Sequence, residues 1–237
     1  MPPPQILYVA DDFGLSSEVN ESILHAHNKG TLTSTALMLG QEGTEEAISL
    51  AKSHPHLELG LHFHFCDSKP TTRKSWPWGR NPASLGSRLG FQPRSLALIE
   101  EEINQQWTLF KETGLNPAFI NVHHHLHAHP WISKRIGDFL IQKNFQGWVR
   151  GGLPHFFSPV SPIKQKIARY LSDQIQKKIP LPSPHSLWGI DRTFQMNPQE
   201  IRPLIATLTE GIHEFIFHPR TLRDPETQCL IHLKQSL

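Results

Sequence analysis

The residues with the clearest chemical potential form a dense histidine run. Five imidazoles fall within seven positions, namely His123, His124, His125, His127 and His129. Imidazole nitrogen binds Zn²⁺ and other divalent ions, so the run suggests metal-dependent chemistry. Because the apolar residues 118–120 precede it, we expect the run to begin where a buried strand ends. In parallel α/β proteins, ligands and catalytic groups collect at such strand ends.

An acidic pair occupies a similar position near the start of the chain. The apolar run Ile6–Ala10 has the pattern of a strand buried on both faces, and Asp11 and Asp12 follow it directly. Another apolar run, residues 57–65, carries His62 near its end. The two carboxylates and this imidazole should therefore meet the histidine run at one edge of a parallel sheet.

These side chains can form an open divalent-metal site. Two imidazoles and one carboxylate leave coordination positions for water and substrate, and the candidates are Asp12, His62 and His123. A metal held in this way acidifies water and polarises a carbonyl. Asp11 would then act as the base that accepts the proton of the attacking water.

Two further residues complete the catalytic hypothesis. Arg150 is the last residue of a short predicted strand at 147–150, and a cation beside Asp11 would keep that base ionised near neutral pH. His218 follows the last predicted strand, at 214–217, and would protonate the leaving group as general acid. Both residues should reach the same edge of the sheet, because all the strands share one polarity.

The remaining histidines of the run have weaker assignments. If the chain stayed extended, alternation would place His125 and His127 on the side of His123 and turn His124 and His129 elsewhere. We expect His125 and His127 to line the site without binding the metal.

Each feature also has a structural explanation. An Asp-Asp pair is often a turn or a cap, and a lone strand histidine is often a hydrogen-bonded core residue. The histidine run could scavenge metal at the surface, and Arg150 could pair with a structural carboxylate. The convergence of four or five strands on one edge favours the catalytic interpretation.

The alternation of strand-like and helix-like segments predicts one α/β domain over residues 1–237. This order indicates a parallel sheet with helices outside it, either a barrel or an open doubly wound sheet. Residues 66–94 are rich in Pro, Gly, Arg and Trp and lack periodicity, so we expect a long loop over the site. Helices are predicted at 96–113, 131–143, 163–178, 198–209 and 225–237, and residues 179–192 receive no assignment.

Composition narrows the classes of function. The formal net charge is +2 and the Lys and Arg residues are scattered, which indicates no surface for nucleic acid. Cys66 and Cys229 lie far apart and predict neither a disulfide framework nor a cysteine zinc site. The sequence shows no signal-peptide pattern and no 18-residue apolar run, so we expect a cytoplasmic protein without a transmembrane segment. The sequence is compatible with a homodimer and does not define the oligomeric state.

Several short motifs occur in a specific order and spacing. They are Ala10-Asp11-Asp12-Phe13-Gly14-Leu15, Val19-Asn20, Gly30-Thr31-Leu32-Thr33-Ser34-Thr35, Gly60-Leu61-His62 and His123-x-His125-x-His127. Together they resemble the YdjC-like carbohydrate deacetylases over essentially the whole chain. The resemblance implies a deformed (β/α) barrel and one divalent ion, Mg²⁺ or Zn²⁺. It also implies Asp12, His62 and His123 as metal ligands and Asp11 as base, while Arg150 and His218 look like the family's site arginine and C-terminal catalytic histidine.

Two positions depart from the chito-oligosaccharide deacetylases of this family. Val9 stands where those proteins usually have Asn, and Asn121 stands where they usually have Asp. Thr113-Gly114-Leu115, His129-Pro130 and Phe217-His218-Pro219 look more like the hopanoid-biosynthesis-associated branch. The resemblance therefore implies a glycolipid, such as an N-acetylglucosaminyl hopanoid, as an alternative substrate to an oligosaccharide.

Residues and resemblance together lead to one hypothesis, a hydrolase that removes the acetyl group from an N-acetylated amino sugar and releases acetate. One alternative is a glycoside or phosphoester hydrolase on the same barrel. A glycosidase needs two carboxylates facing each other across about 5–9.5 Å, and only the adjacent pair Asp11-Asp12 is available. The other alternative is a non-enzymatic histidine-rich metal-binding protein, which would bind several ions per chain instead of one.

Overall fold

A single curved sheet of eight parallel strands organises the computed structural model, which describes residues 2–89 and 93–234. The strands are β1 (Gln5–Phe13), β2 (Ser34–Leu37), β3 (Glu58–Phe63), β4 (Phe119–Val122), β5 (Trp148–Val149), β6 (Leu153–Pro154), β7 (Ser186–Trp188) and β8 (Ile212–Phe217). Their spatial order is β5-β4-β3-β2-β1-β8-β7-β6. The order follows the chain around the sheet and joins β1 to β8, as in a (β/α) barrel, whereas a doubly wound sheet reverses its order at a switch point. The predicted deformed barrel is confirmed.

The deformation is a gap between β5 and β6. Each of these strands has two residues, and no pairing joins them among the described residues. The connection is only Arg150-Gly151-Gly152, which is too short for the helix that normally follows a barrel strand. At the outer edge of β5, the N–H of Val149 donates to the carbonyl of Pro182, a residue that belongs to no strand. The barrel therefore stays open on this side.

Helices surround the sheet and begin at residues suited to that role. They are α1 (Ser17–Lys29), α2 (Thr44–Ser53), α3 (Pro82–Leu89), α4 (Pro93–Glu112), α5 (Pro130–Gln142), α6 (Pro162–Lys178), α7 (Pro198–Ile205) and α8 (Pro225–Lys234), with a 3₁₀ helix at His123–Ala128. Proline stands at the first turn of α5, α6 and α7, where its missing N–H costs no hydrogen bond. Within the described residues, no helix has the length and apolar character needed to span a bilayer.

The long loop predicted at 66–94 is partly wrong. It contains α3, whose buried residues Leu85 and Leu89 are four positions apart on one face, and α4 begins at Pro93. Eight residues interrupted by Gly86 give too short a periodic pattern for this helix to be predicted. Residues 90–92 of the loop, and residues 235–237 of the predicted final helix, lie outside the described part of the chain.

The two loop tryptophans anchor this segment to the core. Trp76 and Trp78 are buried, and their rings stack with centroids 5.5 Å apart. The indole N–H of Trp78 donates to the carbonyl of Phe65, and that of Trp76 donates to the carbonyl of Ser68. Both rings are therefore committed to packing.

Other boundaries differ less from prediction. The unassigned segment 179–192 contains β7, whose three residues are too few to give a pattern. Helix α7 ends at Ile205 instead of Thr209. These differences leave the position of the site unchanged.

A small apolar cluster fills the inside of the barrel beneath the site. It contains Val9, Ala36 and Phe119, with Trp148 stacked on Phe119 at a centroid distance of 4.3 Å. Gly60 on β3 leaves the room for this ring, because a Cβ there would lie 2.5 Å from Phe119. The larger core lies between the sheet and the helices. The interior cluster forms the floor on which the polar side chains of the strand ends rest.

Candidate metal centre and active site

A bulge in β1 brings both aspartates into the barrel. Ala10 pairs with Thr35 and Phe13 pairs with Leu37, so three steps of β1 lie opposite two steps of β2. Asp12 has a φ of 69°, in the left-handed region that is uncommon for residues other than glycine. Neighbours in a regular strand point to opposite faces, and the bulge removes that restriction. Both carboxylates are therefore buried in one site.

The three predicted metal ligands lie together. Asp12 Oδ1 is 3.0 Å from His123 Nδ1 and 3.3 Å from His62 Nε2. The two imidazole nitrogens are 3.3 Å apart. Ligand atoms at about 2.1 Å from a shared ion, with bond angles of about 90–109°, are separated by about 3.0–3.4 Å. The triangle thus has the dimensions of one face of a metal coordination sphere.

A chain of hydrogen bonds fixes the protonation of His62. Asn121, its register partner on β4, donates through Nδ2 to Asp11 Oδ1 at 2.8 Å, so its Oδ1 faces His62 Nδ1 at 2.6 Å. An amide oxygen only accepts, so His62 carries its proton on Nδ1 and directs the Nε2 lone pair towards Asp12. Asp12 Oδ1 is buried and has no hydrogen-bond donor among the described residues. Two acceptors in such close contact fit a bound cation.

Asp11 is held by a buried guanidinium. Arg150 Nη1 and Nη2 donate to its two oxygens at 2.6 and 2.9 Å. Burial raises the pKa of Asp11, but Arg150 and then His62 outweigh this effect and hold the pKa below its usual range. Arg150 is itself fully buried and also donates to Glu214 Oε1 at 2.7 Å. Asp11 therefore stays ionised and has a fixed orientation.

His218 approaches the site from the end of β8. Its Nε2 lies 3.9 Å from Asp11 Oδ2, and its backbone N–H donates to the carboxylate of Glu226. Burial lowers the pKa of His218 to about 4, and the nearby aspartates only partly offset this. Burial also raises the pKa of Glu226 to about 7. The six predicted site residues thus lie in one connected cluster.

Sequence reasoning missed two charged residues of this cluster. Arg220 Nη2 donates to Asp12 Oδ2 at 2.7 Å, which leaves Asp12 Oδ1 facing the two imidazoles. Glu214, the partner of Arg150, lies inside the apolar strand β8. Glu214 and Arg220 lie four positions before and two positions after His218, an even spacing that in a strand places side chains on one face. A glutamate within an apolar strand was also a signal of a buried ion pair.

A tight turn separates the histidines of the run. His124 and His125 have φ values of 54° and 51°, so the extended geometry ends at Val122 and the alternation expected beyond it does not occur. His124 Nε2 lies 3.2 Å from Asp67 Oδ2, at the surface side of the turn. His129 caps α5 by accepting a hydrogen bond from the backbone N–H of Trp131.

His125 and His127 point into a different environment. Neither ring forms a hydrogen bond to another described residue, and both Nδ1 atoms are buried. They form the inner end of an apolar groove of about 270 Å³. Burial, reinforced by the nearby charge of Arg150, lowers the pKa of His127 to about 3. The groove therefore begins beside the charged cluster.

The groove, which we call the gap groove, runs between α6 and the open side of the barrel. Its floor is the Gly151-Gly152 connection between β5 and β6. Its apolar lining includes Ile167, Leu171, Ile175, Leu187 and Ile190. Because its lining includes His125 and His127, the groove lies close to the charged cluster.

The fold and the strand-end cluster define a (β/α)-barrel protein with a candidate metal site, and the family follows from comparison. The chain belongs to the YdjC-like protein family, whose model matches residues 5–234. Carbohydrate deacetylases of Vibrio vulnificus (strain CMCP6), Brevibacillus brevis and Geobacillus stearothermophilus are 34%, 36% and 38% identical over 139, 132 and 129 residues. The matches cover 56%, 54% and 51% of this chain and 54%, 52% and 49% of those proteins. The chain thus spans about half the length of the curated relatives it matches.

A solved structure supports the fold over the whole chain. It is a protein from Enterococcus faecalis V583 that is named for a proposed cleavage of cellobiose phosphate. The TM-score is 0.73 at 19% identity, and the match covers 99% of this chain and 94% of that one. This similarity concerns the fold alone.

Proposed function

We propose that the protein is a metal-dependent hydrolase that removes the acetyl group from an N-acetylated amino sugar. The observation that carries this proposal is the triangle of Asp12, His62 and His123 beside the ion pair of Asp11 and Arg150. The names of the relatives, carbohydrate deacetylases, agree with it.

Asp12, His62 and His123 would hold one divalent ion. A carboxylate and two neutral imidazoles suit Zn²⁺ and accept Mg²⁺ less readily, so we favour Zn²⁺ of the two. The ion would supply Lewis-acid chemistry, by acidifying water and polarising the amide carbonyl. Arg220 would keep Asp12 Oδ1 turned towards the ion, because it binds Oδ2.

Asp11 would be the general base. It lies next to the ligand Asp12 in the chain, and Arg150 with Asn121 holds it in a single orientation. Three hydrogen bonds reduce its basicity but keep it ionised at neutral pH. A fixed carboxylate beside the site of attack can accept the proton of water without reorganising.

His218 would return that proton to the leaving nitrogen. Its Nε2 lies 3.9 Å from Asp11 Oδ2, a distance that a small rotation converts into a hydrogen bond. The proton taken by Asp11 can then pass to the imidazole and on to the amine, which leaves as the C–N bond breaks. The products are acetate and a free amino sugar.

The gap groove supports a substrate with an apolar substituent. The loop tryptophans are buried, whereas the groove is lined mainly by apolar side chains together with His125 and His127, whose imidazoles lie near the charge of Arg150. We therefore propose a glycolipid substrate, such as an N-acetylglucosaminyl hopanoid, as the resemblance to the hopanoid-associated branch implies. Asn121 would hold Asp11 by donating to it, whereas an ionised aspartate in its place would repel that carboxylate.

Acetate release tests the function. The metal-loaded protein is incubated separately with N-acetylated chito-oligosaccharides and with an N-acetylglucosaminyl glycolipid, and acetate is measured by an enzyme-coupled assay. We expect release from at least one of the two, and faster release from the glycolipid. Release of free sugar or of phosphate in place of acetate would overturn the deacetylase proposal in favour of a glycoside or phosphoester hydrolase.

A further inference from the structure

Helix α6 presents an apolar stripe to solvent. Ile163, Ile167 and Tyr170 are 70%, 53% and 60% exposed. Their spacing of four and three residues places them on one face of the helix. Six large apolar side chains are strongly exposed in the described part of the chain, and three of them are in this stripe.

The fold does not account for the stripe. Helix α6 packs beside the barrel gap through its opposite face, where Ser172 and Ile175 are buried. The Ser172 hydroxyl donates to the carbonyl of Gly151, at the floor of the gap groove. The stripe points away from these contacts, so it contributes nothing to the core.

Cations flank the stripe on both sides. On a helical projection, Lys166 and Lys177 fall along one border, and Lys164 and Lys178 along the other. Arg169 adds a fifth positive charge, and Asp173 is the acidic residue of the helix. None of the five cations forms a salt bridge with a described carboxylate, while Lys178 Nζ donates to the carbonyl of Pro130 at 3.2 Å and Lys164 Nζ lies 4.9 Å from the centre of the Phe156 ring. Long lysine side chains can lie along apolar surface and extend their ammonium groups beyond it.

We propose that α6 docks on the surface of an anionic lipid bilayer. An apolar stripe bordered by lysines is the pattern of a helix that lies in the plane of a membrane interface. The stripe would enter the boundary between headgroups and acyl chains, and the lysines would contact anionic headgroups. The helix would lie on the bilayer without crossing it.

The charge pattern favours a bilayer over a second copy of the chain. In a two-fold interface through α6, each stripe would face the other and the flanking lysines of both copies would meet. Like charges brought together in this way oppose association. Anionic headgroups match the same lysines.

Docking would also orient the gap groove. Ile167 belongs both to the stripe and to the groove lining, so a docked helix would place the groove mouth at the bilayer. A substrate held in the bilayer could then reach His125 and His127 at the inner end. The docking itself does not depend on the proposed deacetylation.

Vesicle flotation tests the docking with the full, metal-loaded chain. Vesicles contain either phosphatidylcholine alone or equal parts of phosphatidylcholine and phosphatidylglycerol. We expect the protein to float with the anionic vesicles at low salt and to bind them more weakly at high salt. The double variant Ile163→Ser/Tyr170→Ser should lower the partition coefficient by about tenfold or more. Ile141→Ser, at a site on α5 that is 53% exposed, is the control and should bind like the wild type.

Two further measurements make the outcome decisive. Circular dichroism and acetate release from a water-soluble amino sugar should be unchanged in the double variant, because neither replaced residue lines the groove or the site. Absent flotation of the wild type, or equal flotation of the double variant, would overturn the proposal. A wild-type dimer that becomes monomeric in the double variant, without vesicle binding, would instead identify the face as a protein interface. Acetate release is scored separately, so a failure of docking and a failure of the proposed function are distinguishable.

Discussion

The two sides of the barrel differ in how they treat polar groups. On the side of β1, β3 and β4, Asp11, Asn121 and His62 form a continuous hydrogen-bonded chain. On the side of β5 and β6, the strands have two residues each, and the neighbouring His125 and His127 have no hydrogen-bond partner in the described structure. The side of β1, β3 and β4 therefore holds its polar side chains in fixed positions, whereas the side of β5 and β6 leaves room for the gap groove.

Under the proposed function, this difference would let one histidine run serve two purposes. A metal ligand must be held within about 0.5 Å of its working position, and the hydrogen bond to Asn121 would hold His62 in this way. A groove for an apolar group requires low polarity and room, which the β5–β6 gap gives. The number of histidines in a run therefore says little about the number of metal ligands.

The largest effect should follow from replacing the proposed general base on the ordered side. Asp11→Asn should lower kcat by about 10²–10⁴-fold, because the carboxylate that accepts the proton is lost. The metal content should stay near one ion per chain, since Asp12, His62 and His123 remain. Asp138→Asn, which removes an exposed carboxylate on α5, is the control. A full rate in Asp11→Asn would show that another group is the base.

Glu226, beside His218 at the end of β8, contrasts with Asp11 because it is a buried carboxyl with no Lys or Arg partner among the described residues. Its pKa is raised from 4.5 to about 7 in the folded protein. The folded state thus binds this proton more tightly, so the stabilisation is complete below about pH 4.5 and is lost as the pH rises through about 7. Relative to Glu226→Gln, the free energy of unfolding of the wild type should fall by on the order of 3 kcal/mol across this range. Urea unfolding of both proteins at several pH values measures the difference, and a constant or rising difference would contradict the assignment.

A smaller effect should follow from interrupting the hydrogen-bonded chain. Asn121→Leu removes both the acceptor for His62 and a donor to Asp11. Metal affinity should fall by about 10–100-fold, as is typical when the partner of a ligating histidine is lost. Competition with a chelator measures this change, and Asn104→Leu, at an exposed position of α4, serves as the control. Equal affinity in Asn121→Leu would mean that the chain does not orient His62.

The smallest effect concerns the open side. His127→Leu replaces a buried imidazole whose Nδ1 has no hydrogen-bond partner in the described structure. The free energy of unfolding should rise by about 1 kcal/mol, because an unsatisfied polar atom is removed. Metal affinity should stay the same. A loss of stability would show that the imidazole has a structural role and would weaken the contrast between the two sides.

The convergence of the site residues was predictable because parallel strands share one polarity. Asp11, His62, His123 and His218 each lie at or near the end of an apolar run, and the shared strand polarity then brings them to one edge of the sheet. The barrel order was not predictable, because nothing in the apolar runs distinguishes a closing pair, β1 with β8, from an open edge.

Local backbone geometry accounts for most of what was missed. The bulge that turns Asp11 and Asp12 into one site, and the left-handed turn at His124 and His125, depend on φ values that propensity does not assign to these residues. The β5–β6 gap rests on two-residue strands, which are too short to show a period. Arg220 carries no signal of its own, because an arginine after a strand is ordinarily solvated.

A zinc titration of the wild type and of His125→Gln/His127→Gln tests the central contrast most directly. If the run contributes His123 alone to a site completed by Asp12 and His62, both proteins should bind one equivalent of Zn²⁺ with the same affinity. Binding of several equivalents by the wild type, or a loss of affinity in the double variant, would contradict the account and make the histidine run itself the metal site.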